Sequence, residues 1–336
     1  MRLLLPVWFL AGGCASAPDT GLGDTGDTGD VPLVGVDADG DGFPAWSTTA
    51  DDARADCDDA DPAVTPETER YVRAGPFVRG EEGTFWAEPV RSITLSDYCI
   101  DRTEVTNDAF LLLLEAREAG GLSNVDDEGR TLFDVYDADD PYPERIVDTD
   151  GVWSVEAGYG DHPVVEVWPW SGELYCATNG KALPTEAQWE KAARGEADAR
   201  IYPWGDDAAG CSLANYVDVP EGGPPQDGEP CVGDTAPVGG YPDGASPYGA
   251  VDLAGNVAEW VQDWFDPEAY AAGTDTDPTG PAEGALFDDG VGEFVARTSR
   301  GGNFLTAPEM LHVSARTPEP ETATSNGVGF RCARPL

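Results

Sequence analysis

The cysteines constrain the fold of this chain more than any other feature of its sequence. Seven occur among 336 residues, and the first of them, Cys14, follows a short apolar stretch at the N-terminus. The other six are Cys57, Cys99, Cys176, Cys211, Cys231 and Cys332. In an exported chain this even number favours disulfides over free thiols, because oxidising compartments preserve such bridges. No CxxC spacing occurs, so we expect cross-links and not a structural zinc centre.

The N-terminal segment, residues 1–13, indicates export. A positive residue precedes the apolar stretch 3–10. A helix that spans a bilayer needs about 20 residues, so the stretch predicts a signal peptide and not an anchor. The small residues before Cys14 resemble a bacterial lipobox, in which the cysteine carries the lipid. Ala11 stands where a lipobox usually has leucine, and cleavage after Ala17 is the alternative. Either route predicts an exported protein, and the lipobox predicts a lipoprotein, periplasmic or at the cell surface, that contacts the membrane only through its Cys14 lipid.

Acidic residues dominate the composition. The chain has 64 Asp and Glu against 19 Lys and Arg, a formal net charge of −45. Such a surface repels nucleic acid and anionic lipid headgroups and attracts divalent cations. The bulk charge alone fits either a high-salt habitat or calcium binding. Residues 14–35 include a Gly-Asp-Thr repeat over 23–30 and no aromatic residue, so we expect a flexible acidic tether there.

Residues 36–70 predict an Asp-rich calcium-binding repeat. Aspartates stand at alternate positions: Asp37, Asp39 and Asp41. With the glycine that follows, they match the first half of an EF-hand loop, whose carboxylates converge on one hard cation. The twelfth place is Thr48 and not glutamate, but the acidic run 56–62 continues the pattern. Residues 36–70 taken together resemble short metal-binding repeats of the thrombospondin type 3 kind. The alternative is a solvated acidic linker. An all-oxygen ligand set favours calcium.

Two helices are indicated in the rest of the chain. The first covers 106–118, with polar residues at its start and a glycine pair after it. The second follows Thr185, which forms a capping box with Gln188, and it ends at the next glycine. Short apolar segments such as 92–95 predict strands. Many glycines, prolines and tryptophans, with few long periodic stretches, predict a loop-rich α+β domain.

Six sequence blocks together resemble the formylglycine-generating enzyme family, also called the sulfatase-modifying factor family. They are 100–107, 162–165, 180–190, 248–260, 300–304 and 329–332. Each block alone is a weak signal, but their order and spacing match the family over residues 71–336. The resemblance implies the fold of that family, a loop-rich α+β variant of the C-type-lectin-like fold, which the disordered acidic tether would precede here.

The resemblance also implies calcium in the folded domain. In the family one ion is held by an acid or amide side chain, two backbone carbonyls and a glutamate. The matching residues are Asp252, Gly255, Val257 and Glu259. The alternative for Glu259 is an N-cap or a surface acid. A second family site uses an asparagine that matches Asn215, but its acid is not evident near 230–232, so that site stays open.

Disulfide pairing follows from the same resemblance. Family members join the positions of Cys176 and Cys332. Cys211 and Cys231 lie across one loop and are natural partners. These pairs leave Cys57 with Cys99.

Catalytic members of the family differ from this chain at one place. They carry two cysteines shortly after the Arg-Gly-Gly block, bind copper(I) with them, and oxidise a substrate cysteine with dioxygen. Copper(I) prefers soft thiolate ligands. The first position is Thr306 in this chain and the second falls at or near Leu311, and no cysteine occurs between Cys231 and Cys332. Copper is therefore not expected.

Two hypotheses follow for function. The first is an exported, calcium-stabilised lipoprotein whose domain is a non-catalytic binding module for a glycan, peptide or protein. The second is a formylglycine-generating oxidase that acts on protein cysteine. Bound calcium without copper supports the first hypothesis, whereas stoichiometric copper supports the second.

Overall fold

A computed structural model describes residues 38–41, 43, 45, 55–58, 60–135, 144–196, 199–219 and 227–336. The predicted signal peptide, the lipidation site Cys14, the tether over 14–35 and the predicted ligand Asp37 lie outside these residues. Within the described part of the chain, no helix is long and apolar enough to cross a membrane.

Four α-helices occur in the described residues, and two of them are the helices that the sequence predicts. They are α1 Asn107–Ala119, α2 Pro169–Thr178, α3 Glu186–Arg194 and α4 Ala269–Ala272. Thr106 caps α1 by accepting a hydrogen bond from the Ala109 amide. The capping box of α3 is present in both directions, since the Gln188 amide donates to Thr185 Oγ1 and the Thr185 amide donates to Gln188 Oε1. Both predicted helices are confirmed.

The strands of the described residues are short. They are β1 Glu69–Val72, β2 Gly75–Arg79, β3 Arg91–Leu95, β4 Tyr98–Asp101, β5 Ile146–Thr149, β6 Val152–Val155, β7 Val217–Asp218, β8 Glu229–Pro230, β9 Ala258–Trp264, β10 Leu286–Asp288, β11 Glu293–Arg300, β12 Arg316–Pro320, β13 Val328–Gly329 and β14 Ala333–Pro335. With four helices and long connections, they form the loop-rich α+β fold that the sequence predicts.

Two sheets organise the domain. In the larger one, β9 pairs with β11 on one side, antiparallel, and with β13 on the other, parallel. Strands β10 and β12 also pair with β11. In the smaller sheet β4 lies between β1 and β14, both antiparallel. The first and last strands of the domain therefore share one central neighbour.

The main apolar core lies between α1, α2 and the larger sheet. Phe110 and Leu114 of α1 pack with Trp260 of β9 and with Phe330, all 1% exposed or less. The disulfide Cys176–Cys332 lies within this core, and two further disulfides, Cys57–Cys99 and Cys211–Cys231, lie outside it. These are the pairs that the sequence predicts.

Candidate functional site

The first position at which catalytic relatives would carry a cysteine is held in a tight turn. Strand β11 ends at Arg300, and Gly301 and Gly302 then turn the chain with φ of 94° and 66°, which glycine adopts readily. Thr306 follows. Its hydroxyl accepts a hydrogen bond from the Asn303 amide and donates one to the Asn303 carbonyl, each 2.9 Å long. The side chain at this position therefore stabilises the local turn.

The second position was predicted at or near Leu311, and Leu311 is part of an apolar core. Leu311 ends a short 3-10 helix, Pro308–Leu311, and is fully buried. It packs with Tyr202, Tyr216 and Ala254. The six cysteines of the described residues are all in disulfides. A hydroxyl, an alkyl group and oxidised sulfur are not ligands for copper(I), so the residues at this place do not fit that ion.

A buried network of charges lies beside the glycine turn. Arg300 Nη2 donates to Glu190 Oε2 over 2.8 Å, and Arg316 Nη2 donates to Glu186 Oε2 over 2.9 Å. Arg79 Nη2 reaches the same Glu186 oxygen. Burial alone would raise the pKa of Glu186, but the guanidinium charges of Arg316, Arg300 and Arg79 outweigh it and lower the pKa to about 2. The Glu186 carboxylate stays ionised and ties α3 to β12 and β2, while Glu190 ties α3 to β11.

The predicted calcium ligand Glu259 is hydrogen-bonded within the protein. Arg331 Nε donates to Glu259 Oε2 and Arg331 Nη2 to Glu259 Oε1, each over 2.7 Å, and both side chains are 0% exposed. Trp189 Nε1 also donates to Glu259 Oε2. Each carboxylate oxygen has two lone pairs, so Oε1 accepts one bond and retains one lone pair. Glu259 is thus neither an N-cap nor a surface acid.

Asp252 lies near a second buried acid, Glu104. Asp252 Oδ2 accepts a hydrogen bond from the Gly239 amide, and Glu104 Oε1 accepts one from Asn256 Nδ2. Within the described residues, Asp252 Oδ1 and Glu104 Oε2 are buried without a hydrogen-bond partner. Burial raises the pKa of both carboxyls, and the neighbouring Asp252 charge raises that of Glu104 further. A hydrogen bond from Glu104 opposes the rise in the pKa of Asp252, so these two adjacent buried acids call for a shared proton or a cation.

The backbone between the two predicted acid ligands turns sharply at Gly255. Its φ is 78°, and a Cβ there would lie 2.4 Å from the Asn215 carbonyl oxygen, so only glycine fits. Asn215 is also buried. Its amide donates to the Asp234 carbonyl over 2.8 Å, and its Oδ1 has no hydrogen-bond partner among the described residues. The disulfide Cys211–Cys231 joins the segment before Asn215 to residues 230–232, where the sequence shows no acid for a second calcium site.

A further acidic cluster lies in the predicted Asp-rich repeat. Asp39, Asp41 and Asp56 each bring one carboxylate oxygen within 4.8 Å of the others. A bridge between Ala45 and Asp56, in parallel orientation, joins the two halves of the repeat. The structure thus brings together two of the predicted ligands, and it adds Asp56 from the acidic run 56–62. The Asp56 side chain is fully buried.

The sequence did not single out Glu104 and Asp56 as candidate ligands, although both lie in segments that the sequence marks. Glu104 belongs to the block 100–107, and Asp56 begins the second acidic run. A buried acid is recognised only when its surroundings are known, so the sequence signal was the acidic run for Asp56 and the family block for Glu104.

The fold and the site together define a class of protein. It is a disulfide-tied domain of the formylglycine-generating-enzyme type. The model of the sulfatase-modifying factor enzyme 1-like domain matches residues 57–336. The chain therefore belongs to the formylglycine-generating enzyme (sulfatase-modifying factor) family, and the match includes β1 and the Cys57–Cys99 bridge.

Relatives of the chain carry different names. Serine/threonine-protein kinase pkn1 of Chlamydia caviae is 33% identical over 267 residues, which cover 79% of this chain and 37% of that protein. The chain thus spans just over a third of its length. The formylglycine-generating enzyme of Streptomyces coelicolor is 33% identical over 306 residues, with 81% of this chain and 91% of the enzyme covered. The solved structure of Treponema denticola variable protein 1 has the same fold, with a TM-score of 0.56 at 19% identity over 80% of this chain and 95% of that one.

Proposed function

We propose that this protein is an exported lipoprotein whose formylglycine-generating-enzyme-type domain is a non-catalytic binding module. The observation that carries the proposal is the pair Thr306 and Leu311. The hydroxyl of Thr306 is engaged in its own turn, and Leu311 is buried in the core. Oxidation of a substrate cysteine by copper and dioxygen requires soft ligands at these positions, and neither residue supplies one.

The second candidate is a formylglycine-generating oxidase. The extent of the match to the Streptomyces coelicolor enzyme favours it, because that match covers nearly the whole relative. One assay separates the candidates. A sulfatase-type peptide with one cysteine is incubated with the protein, copper, dioxygen and a reductant, and the peptide is analysed by mass spectrometry. We expect no thiol-to-aldehyde conversion, also with Thr306→Cys, because the second thiolate is still missing. Aldehyde above a no-enzyme control would overturn the binding-module proposal.

We propose further that calcium stabilises the domain at two places. In the domain, Asp252 and Glu259 with the carbonyls of Gly255 and Val257 would hold one ion. Two observations support this. Asp252 Oδ1 is buried and has no hydrogen-bond partner among the described residues. Glu104, Asp252 and Glu259 are three buried carboxyls near the guanidinium of Arg331, and the guanidinium of Arg102 also acts on Asp252. A cation would balance the excess negative charge. The lone pair left on Glu259 Oε1 is compatible with this role.

The second calcium site would use the Asp-rich repeat. Asp39, Asp41 and Asp56, with Asp37, would supply carboxylate oxygens, the ligand type that calcium takes. The close approach of three of these carboxylates supports the proposal. A cation between them would offset their mutual repulsion, because like charges at short range destabilise the folded form.

Thermal unfolding in calcium and in chelator tests both calcium sites, because an ion that binds only the native state raises its stability. We expect a higher midpoint in calcium, and Asp252→Asn and Asp41→Asn should each remove part of the difference. Glu115→Gln, a change at an exposed position of α1, is the matched control. It should leave the difference between the midpoints in calcium and in chelator unchanged. Asp252→Asn is a cleaner test than a change at Glu259, which also pairs with Arg331. Equal midpoints in calcium and chelator would contradict the proposal.

Membrane attachment is tested separately. We propose that Cys14 carries the lipid that anchors the protein, so Cys14→Ser should move it from the membrane fraction to the soluble fraction of cells that express it. Unchanged membrane association of this variant would refute a lipid at Cys14.

A further inference from the structure

An open cleft of about 580 Å³ lies between the loop 83–89 and the start of α4. We call it the aromatic cleft. Its defining residues are Phe85, Trp86, Glu88, Pro89, Pro267 and Glu268. Its volume is typical of sites that take a ligand of several residues or a small organic molecule. None of these residues belongs to the calcium sites or to the positions of the copper ligands.

The exposure of the aromatic side chains in the cleft lowers the stability of the fold. Phe85 is 83% exposed, although burial of a phenylalanine side chain stabilises a fold by about 2 kcal/mol. Trp86 next to it has a φ of 62°, a conformation that a bulky side chain rarely adopts. The Trp86 ring packs edge-on against Phe265 and Phe287, with ring centres 5.3 and 5.6 Å apart. Strain of this kind persists where surrounding contacts enforce it, and it is common at ligand sites.

The charges of the cleft have one sign. Glu88 and Glu268 line it and are both exposed, and no Lys or Arg is among the lining residues. The nearby Arg316 lies beneath Trp86, where its Nη1 donates to the Trp86 carbonyl. It is 3% exposed and pairs with Glu186, so its charge is neutralised inside the protein. Two aromatic faces beside two carboxylates attract a cation and disfavour an anion.

We propose that the aromatic cleft binds an arginine or lysine side chain of an extended, proline-containing and apolar peptide segment of another protein. The inference rests on the proposed binding-module function and names the partner for it. The cationic group would lie against Phe85 and Trp86 and pair with Glu268. Prolines and apolar side chains of the segment would contact Pro89 and Pro267, as extended peptides do in aromatic-lined grooves. The cleft is larger than one ammonium group requires, which favours a peptide over a free amine.

Fluorescence anisotropy with a labelled peptide tests the proposal. The probe is Leu-Pro-Arg-Pro-Leu with blocked ends, and the matched control is the same peptide with citrulline in place of arginine, which keeps the shape and removes the charge. We expect the arginine peptide to bind at least about fivefold more tightly than the citrulline peptide, the range of one cation–π contact together with one carboxylate. The difference should shrink in 1 M salt, because exposed charges are screened there.

Variants of exposed residues keep the test independent of folding. Phe85→Ala and Glu268→Gln should each weaken the arginine peptide about threefold or more. Leu112→Ala is the matched control, since Leu112 is an apolar residue of α1 that is 66% exposed, and it should have no effect. Equal affinity for the arginine and citrulline peptides, or an unchanged affinity in both cleft variants, overturns the proposal. Displacement of the peptide by choline at equal concentration also overturns it, because the site would then recognise a small amine.

Failure of this inference and failure of the proposed function give different results. If the peptide does not bind and the sulfatase-type peptide stays unoxidised, the cleft assignment is wrong and the non-catalytic proposal stands. If aldehyde forms, the non-catalytic proposal is wrong whatever the peptide does.

Discussion

Replacing Glu259 by glutamine removes one charge from the centre of the domain and keeps the shape of the side chain. In the native protein both Glu259 oxygens accept hydrogen bonds from Arg331, and the two side chains are 0% exposed. Glutamine can accept at one oxygen only and would place an amide N–H against an Arg331 donor. The buried guanidinium would then lose the one carboxylate to which it is hydrogen-bonded.

The expected loss follows from these contacts. Breaking a buried ion pair by removing one partner costs about 3–5 kcal/mol. Arg331 keeps hydrogen bonds to the carbonyls of Asp101, Arg102 and Val251, which compensate part of its charge. We therefore expect the lower end, about 3 kcal/mol, a large fraction of the 5–15 kcal/mol that is typical for a folded domain. For a domain of this size class that loss lowers the melting midpoint by about 6–12 °C.

The assay is urea unfolding at pH 8 without reductant, in chelator and in calcium. Alkaline pH is used because burial raises the pKa of Glu259. The matched control is Glu128→Gln, which breaks an ion pair with Arg130 whose side chains are 72% and 45% exposed and should cost less than about 1 kcal/mol. A loss for Glu259→Gln in chelator that is no larger than that of the control would refute the reasoning. An additional loss in calcium alone would measure the contribution of a bound ion.

Three further predictions concern the frame of the domain. Replacing Cys176 and Cys332 together by alanine opens a loop of 156 residues and should cost about 5 kcal/mol in the chain-entropy model, measured by urea unfolding; a loss under 2 kcal/mol would contradict it. Burial and the Glu186 charge raise the pKa of Asp263 to about 7, so the native state holds a proton that the unfolded state releases, and stability should fall as pH rises from about 4 to 7. Asp263→Asn should abolish that part of the pH profile of unfolding, and an unchanged profile would argue against it. Thr185→Ala should lower stability by about 1 kcal/mol in calorimetry through loss of the α3 cap, and no change would mean that the cap contributes nothing.

Local signals made part of the fold predictable. The hydroxyl of Thr106 and the capping box of Thr185 lie within a few residues of the amides that they bind, so the sequence alone places α1 and α3. Helix α2 was not predicted, because its N-cap is Trp168, which forms no side-chain cap bond, and its first turn has no acidic residue. Only the proline at its start marked it.

Contacts between residues far apart in the sequence could not be predicted from such local signals. Strand β13 is two residues long, and its parallel pairing with β9 depends on the whole domain being folded. The partner of Glu259 illustrates the same point, since Arg331 lies 72 residues further along the chain. The resemblance of the sequence blocks to the family marked the segments that contain Glu259 and Arg331, but only the folded structure shows that the two side chains are in contact.

The bridge between Cys57 and Cys99 also determines how the domain bears mechanical load. Cys99 lies in β4, which has a hydrogen-bonded neighbour on each side, β1 and β14. A pull on the chain ahead of Cys57 passes through the sulfur–sulfur bond straight into this middle strand, so residues 58–98 carry no load while the bond is intact. Unfolding under force then requires β4 to separate from both β1 and β14 at the same time. With the bond reduced, the same pull reaches β1 first and peels it from the sheet edge one pair at a time. Resistance to force is governed by the unfolding rate, so this one cross-link should slow rupture far more than its contribution to equilibrium stability suggests.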